Sequence, residues 1–185
     1  MGHIKEHAPV KLILGITYNP DVDIAPIFTL LEDLFSSIEL KSSVYQFSKF
    51  TKYYESEMGK NLNKLFVVFA KLSEIEILPE IKVTTNQIES DFSESDQRKI
   101  NLDPGYISEA KLVLATTKNY THRIYLQRGI FGDVHLYFQD NSFQIQSWTY
   151  PDYQQKEVIE FFNNVRQRYL HQLGDHFEAD INMTS

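Results

Sequence analysis

A chain of 185 residues, 42% hydrophobic and 14% aromatic, can bury a core of its own and is too apolar to be disordered. Its net charge of −7 argues against nucleic acid as a partner, because non-specific binding there rests on neutralising phosphates. The absence of cysteine excludes disulfides, thiolate metal sites and thiol nucleophiles, and it fits a reducing compartment.

No run approaches the roughly 18 apolar residues of a membrane span. The opening MGHIKEHAPVK has no apolar stretch of a secretory signal, and Glu6 stands where a myristoylation motif needs Ser or Thr. A soluble cytoplasmic protein without a membrane partner is the expectation. Eleven Tyr and thirteen Phe against one Trp suggest β-rich structure.

Residues 1–9 read as a flexible arm, 10–173 as one compact domain and 174–185 as a flexible tail. KLILGITY (11–18) is a buried strand ended by Asn19-Pro20. Asp23 caps a helix with Pro26 in its first turn, and Ile24, Ile27, Phe28, Leu31, Leu34 and Phe35 give it an apolar face. Ile38–Phe47 reads as a second strand, 50–60 as a polar aromatic connection and Leu62–Leu72 as a third, wholly buried strand. Glu74–Phe92 reads as a second helix, although Thr84 and Thr85 are poor helix formers. Seven acids against Lys82 alone over 74–96 read as a solvated face.

Lys99–Leu102 reads as a short fourth strand, which completes a β-α-β-β-α-β order of ferredoxin-like type. Asp103-Pro104-Gly105 reads as a turn, with Pro presetting one φ and Gly accepting a positive one. Ser108 is placed to cap a helix to about Thr116, with a strand over Val113–Thr117 as the alternative. His122–Leu126, Gly132–Phe138 and Phe143–Trp148 read as an antiparallel meander turning at Gln127-Arg128-Gly129 and Asp140-Asn141. Alternation puts Val134, Leu136 and Phe138 on one face, and Arg123, Tyr125, Asp133, His135, Tyr137, Gln144, Gln146 and Trp148 on a polar aromatic one. A last helix carries Val158, Phe161, Phe162, Val165 and Tyr169, and Gly174 ends it. The fold class is α+β: a ferredoxin-like first half, a meander and a C-terminal helix.

No motif names a reaction. The sharpest anomaly is charge: residues 104–131 hold four bases (Lys111, Lys118, Arg123, Arg128) against Glu109 alone, with His122 beside them. A basic cluster in an acidic chain suits an anionic ligand, since Arg offers a bidentate fork and Lys a point charge. The bland alternative is that these bases pair with the acidic second helix. His122 and His135 are the histidines of this region and candidate general bases. Asp103, His122, Asp133 and His135 show no metal-ligand spacing, so no metal is expected. There is no G-x-S-x-G elbow, and the G-x-x-x-x-G-K-[ST] loop is absent, which excludes a P-loop GTPase.

The segments PVKLILGITY, FTKYYESEMG, INLDPGYISEAKLVLATTKNYTHRIYLQRGIFGDVHLYF and WTYPDY resemble the prokaryotic family called domain of unknown function 4416, over about residues 9–170. The resemblance implies a cytoplasmic bacterial or archaeal protein of one compact domain and implies no activity. Its matching blocks fall on Tyr53, Tyr54, Met58, Gly59, Asn101, Asp103, Pro104, Gly105, Tyr106, Lys111, Thr116, Lys118, His122, Arg123, Tyr150, Asp152 and Tyr153.

The reading is a site for an anionic small molecule, a nucleotide or phosphorylated metabolite. Lys111, Lys118, His122 and Arg123 hold the anion, Tyr106, Tyr150 and Tyr153 form walls, and Asn101 lies beside them. Asp103, His122 and Asp152 are the candidates for acid–base work. The rival is a non-enzymatic interaction module that docks a partner on the polar aromatic face of 122–148. Cofactor, reaction and oligomeric state are not legible.

Overall fold

The computed structural model describes residues 6–93 and 97–183, with side chains through Asp175. Most of the arm read at 1–9 (residues 1–5) and residues 184–185 of the tail lie outside the described residues. The fold is α+β: one nine-stranded antiparallel sheet with helices on both faces. β1 (Val10–Tyr18) is buried at every position, because it lies between two other strands and beneath helices on either side. α1 (Ala25–Leu34) follows, with Asp23 Oδ1 accepting the Ala25 N–H at 3.0 Å. β2 (Ile38–Lys41) and β3 (Tyr45–Gln46) then pair in succession with β4 (Asn63–Ser73), so the expected second strand is broken in two. Between them and β4 lies the short α2 (Glu55–Met58). α3 (Leu78–Asp91) leads into β5 (Ile100–Ile107), and the first strands stand in the order β2-β4-β1-β5.

The two sheet faces divide the apolar residues by alternation. Leu12, Leu14 and Ile16 of β1, with Leu65 and Val67 of β4, pack under α1 and α3. Ile13, Phe66 and Val68 point the other way, against Phe162, Val165 and Tyr169 of α4 (Lys156–Met183). No helix of the described residues is long and apolar enough to cross a membrane.

Several local expectations are corrected. Asp103-Pro104-Gly105 is not a turn but the middle of β5, paired with Gly15, Leu14 and Ile13 of β1. Gly105 is required by close approach: a Cβ there would meet the Val113 carbonyl oxygen at 2.4 Å. Residues expected to form a helix from Ser108 to Thr116 form β6 (Lys111–Thr116), because the apolar run LVLA is buried on both faces of the sheet. The meander is present as β7 (Arg123–Gln127), β8 (Ile130–Gln139) and β9 (Ser142–Ile145), with left-handed residues at Arg128-Gly129 and Asp140-Asn141 as two-residue hairpins demand. β9 stops at Ile145 because Thr149 Oγ1 takes the Gln146 N–H at 2.8 Å and closes a tight turn. The expected face alternation of β8 fails at a register shift opposite Leu112 and Val113. Val134 packs on the α3 side, while Leu136 enters the core under α4. Gly174 lies inside α4 rather than ending it; nothing there calls for a left-handed residue.

Candidate functional site

A break in the sheet creates the site. β5 and β6 pair only across Gly105–Ile107 and Leu112–Leu114. Beyond Leu114, β6 follows β8, while Asn101–Asp103 pair with β1 alone. The strands therefore part, and the open edge of β5 needs partners for its backbone. α3 supplies them: Lys82 Nζ donates to the Leu102 carbonyl at 2.8 Å, and Glu89 Oε1 accepts the Leu102 N–H at 2.6 Å. Both side chains are buried, which corrects the reading of 74–96 as wholly solvated.

The space between the strands is a cleft of about 290 Å³, bounded by Lys82, Asn101, Asp103, Thr116, Lys118 and Tyr150. A second hollow of about 240 Å³ shares Tyr53, Tyr54, Asp103, Lys118 and Tyr150 with it and adds Phe47, Tyr120 and Pro151. The first is a polar half and the second an aromatic half, and Asp103 and Lys118 line both.

Strand alternation explains the polar floor. Lys64, Thr17 and Asn101 are cross-strand neighbours on β4, β1 and β5, and Asp103 lies beside Gly15 on the same face. Lys64 is fully buried and donates to Asp152 Oδ2 at 2.7 Å; Tyr45 donates to the same oxygen at 3.0 Å. Gly15 leaves room here, since a Cβ would touch the Lys64 side chain at 3.3 Å. Tyr153 packs flat against Phe162, and its hydroxyl and that of Thr17 are buried without a partner among the described residues.

The remaining charges are mostly paired. Arg98 Nη1 donates to Glu89 Oε2 and to Asn101 Oδ1, both at 2.9 Å, and its Nη2 donates to Glu57. Arg123 is 8% exposed and donates to Asp133 Oδ2 at 3.0 Å, to the Lys118 carbonyl at 3.0 Å and to the Tyr150 hydroxyl at 2.9 Å. Burial raises Asp133, but the hydrogen bond to His135 and the charge and hydrogen bond of Arg123 outweigh it and hold the carboxyl below its ordinary range. His135 is buried and pushed below its ordinary value, chiefly by desolvation. Its Nε2 accepts the Tyr150 N–H at 3.0 Å and its Nδ1 faces Asp133 at 3.4 Å, so it is a neutral structural group.

Lys118 differs. Its ammonium is exposed, accepts no carboxylate among the described residues as partner, and donates to the Tyr53 hydroxyl at 2.7 Å. The tyrosine hydroxyls nearby stay protonated: burial, then the opposing charge of Arg123 and the reinforcing one of Asp103, leave Tyr150 pushed up to about 12. Tyr54 is raised too, by burial first and Asp103 next. The cleft thus presents one unpaired ammonium, neutral phenol donors and a partly exposed carboxylate.

Of the residues singled out in the sequence, Asn101, Asp103, Lys118, Arg123, Tyr150 and Asp152 line the two halves. Tyr153 stands behind Lys64. His122 is set back, stacked on Trp148 at 4.7 Å with its Nε2 3.3 Å from Asp133 Oδ2. Tyr106 lies in an apolar cluster with Val10 and Val113, on the other sheet face, and Lys111 starts β6 at the end away from Thr116; neither lines the cleft. Lys64, Lys82, Glu89 and Arg98 were missed. Lys64 carried a signal: it precedes Phe66 by two in the third strand, which makes it a charge on a buried face. Among the described residues no cluster of metal-ligating side chains is present.

The family model called domain of unknown function (DUF4416) matches residues 8–169, most of the chain. The chain belongs to the DUF4416 family. No curated protein and no solved structure matches this DUF4416 chain. The residues of the cleft, from Phe47 to Asp152, all fall within the matched span.

Proposed function

We propose that this protein binds a small anionic metabolite, such as a phosphate ester or nucleotide, in the cleft between β5 and β6. The observation that carries this is Lys118. Of the five cations around the cleft, Lys64, Lys82, Arg98 and Arg123 have carboxylates within 4.0 Å, and Lys118 has none among the described residues. It faces a hollow also lined by the phenols of Tyr53, Tyr54 and Tyr150, and an anion there would gain charge-assisted hydrogen bonds. Neither half alone reaches the usual 300–1,000 Å³ of a ligand pocket, so a ligand of nucleotide size would occupy both. Arg123 serves this reading as a support: it holds the Lys118 carbonyl and the Tyr150 hydroxyl in place. The test is a thermal-shift panel of nucleotides, sugar phosphates and dicarboxylates, with Lys118→Ala as control. A ligand at a hundred times its dissociation constant should add about 2.7 kcal/mol. A stabilising ligand whose effect vanishes in Lys118→Ala supports the reading; a panel without any shift contradicts it.

The rival reading, an interaction module, is favoured by a different observation. Ile124, Tyr125 and Leu126 are exposed on β7, a strand that pairs only with β8 among the described residues. Paired antiparallel with a second copy about Tyr125, Ile124 would face Leu126 of that copy, which suits open edges. Ile124→Lys should then convert a dimer to a monomer in sedimentation velocity, and a monomeric wild type ends this reading.

A further inference from the structure

The charges of the cleft also constrain what the anion must carry. Five carboxylates border it, and four are spent: Glu57 and Glu89 on Arg98, Asp133 on Arg123, Asp152 on Lys64. Asp103 is the least engaged of the five. Among the described residues its one hydrogen bond comes from the Asn101 amide at 2.8 Å. Its nearest cation, Lys82, stands 3.8 Å away, beyond hydrogen-bond range, with its ammonium already committed to the Leu102 carbonyl at 2.8 Å. The Asp103 side chain is 23% exposed, and it borders both halves of the cleft, as Lys118 does. In the aromatic half Asp103 shares the lining with Tyr53, Tyr54, Tyr120 and Tyr150.

We infer that the ligand pairs its anionic group with a hydrogen-bond donor, an amine or a hydroxyl, and that Asp103 accepts from that donor while Lys118 holds the anion. The ligand class is therefore an amino- or hydroxy-substituted acid or phosphate ester rather than a plain anion. This rests on the anion-binding reading above and adds the second contact to it. A site whose carboxylate keeps open acceptor positions discriminates against an analogue without the donor, because those positions are then desolvated with nothing in return. The same carboxylate repels a bare dianion, so selectivity works from both sides.

The experiment compares three probes of similar size by isothermal titration calorimetry: ethyl phosphate, O-phosphoethanolamine and glycerol phosphate. Wild type should bind the two donor-bearing probes at least about tenfold more tightly than ethyl phosphate. Asp103→Asn, which keeps shape and the Asn101 contact, should bind ethyl phosphate as well as or better than wild type and lose the preference for phosphoethanolamine. Lys118→Ala should weaken all three. Equal binding of the three probes by wild type overturns the donor inference while leaving the anion reading intact, and needs no variant. A preference that survives in Asp103→Asn overturns the role of Asp103. Failure of every probe to bind wild type, with Lys118→Ala unchanged in all respects, overturns both readings together.

Discussion

The two ends of one sheet face, built from the same strands, are held together by different physics. Under α4, Ile13, Phe66, Val68, Leu112 and Leu136 form a dry apolar layer. A few residues further along β1, β4 and β5, that face carries Thr17, Lys64, Asn101 and Asp103 instead. α4 begins only at Lys156, and the turn that precedes it, with Asp152 and Tyr153, caps the polar end. The apolar end needs only shape. The polar end needs its charges answered, and among the described residues it leaves the Lys118 ammonium without a carboxylate and Asp103 with only the distant Lys82, at 3.8 Å. A cleft of this kind arises because two strands part, and α3 makes the parting tolerable by taking over the Leu102 backbone bonds.

The sharpest way to break this comparison is to remove one group from each end. Phe162→Ala, in the apolar layer, should cost about 3–5 kcal/mol. Asp152→Ala should cost a similar ~3–5 kcal/mol, because it strands the buried Lys64 ammonium. The ends then diverge on repair. Replacing Lys64 and Asp152 together by Met and Leu should recover most of the loss, since a buried pair can be exchanged for apolar residues at little net cost. Urea denaturation midpoints at constant m-value read all three. If the double variant is as unstable as Asp152→Ala, the polar end is not held by the pair.

At the apex between the ends, Gly105→Ala should cost roughly 1–3 kcal/mol, because its methyl would run into the Val113 carbonyl and force the strands apart. A neutral outcome would show that β5 and β6 are free to separate further. Acid should touch only the polar end. His135 has its folded pKa below the unfolded value of about 6.5, so the unfolded chain binds more protons and stability falls as pH drops through that value. Asp133, also lowered, adds a further loss only below the ordinary carboxylate range. Glu89, raised chiefly by burial, works the opposite way, so urea midpoints between pH 7.5 and 5.5 should fall more steeply in wild type than in His135→Phe; parallel profiles contradict the assignment. The smallest effect belongs to Lys118→Ala, which should leave stability within about 0.5 kcal/mol, because this exposed side chain supports nothing but the Tyr53 contact.

Much of the architecture was legible where local signals carry it. The apolar runs of β1 and β4 and the turns at Arg128-Gly129 and Asp140-Asn141 are legible in the sequence because length and turn chemistry are local. Asp103-Pro104-Gly105 was misread because the demand for Gly105 comes from the Val113 carbonyl, a group on another strand. The helix expected before Thr116 failed because a short run of buried apolar residues has no period of its own. In the cleft, Asn101, Asp103, Lys118, Arg123, Tyr150 and Asp152 came from one stretch of chain and were named. Their partners were not: Lys64 lies 88 positions from Asp152, and Glu89 sat in a run of acids that looked solvated. Pairing between distant groups is a tertiary fact, and it engages Arg123, expected as a ligand contact, with Asp133, the Lys118 carbonyl and the Tyr150 hydroxyl.

The central claim is that Lys118 and the surrounding tyrosines form an anion site in the cleft. Its most direct test is a two-dimensional ¹⁵N–¹H NMR titration with O-phosphoethanolamine, in wild type and in Lys118→Ala. The account predicts saturable shifts at Tyr53, Tyr54, Thr116–Lys118 and Tyr150 that disappear in the variant. Shifts spread over other surfaces, or shifts in the cleft that persist without the Lys118 ammonium, would contradict it.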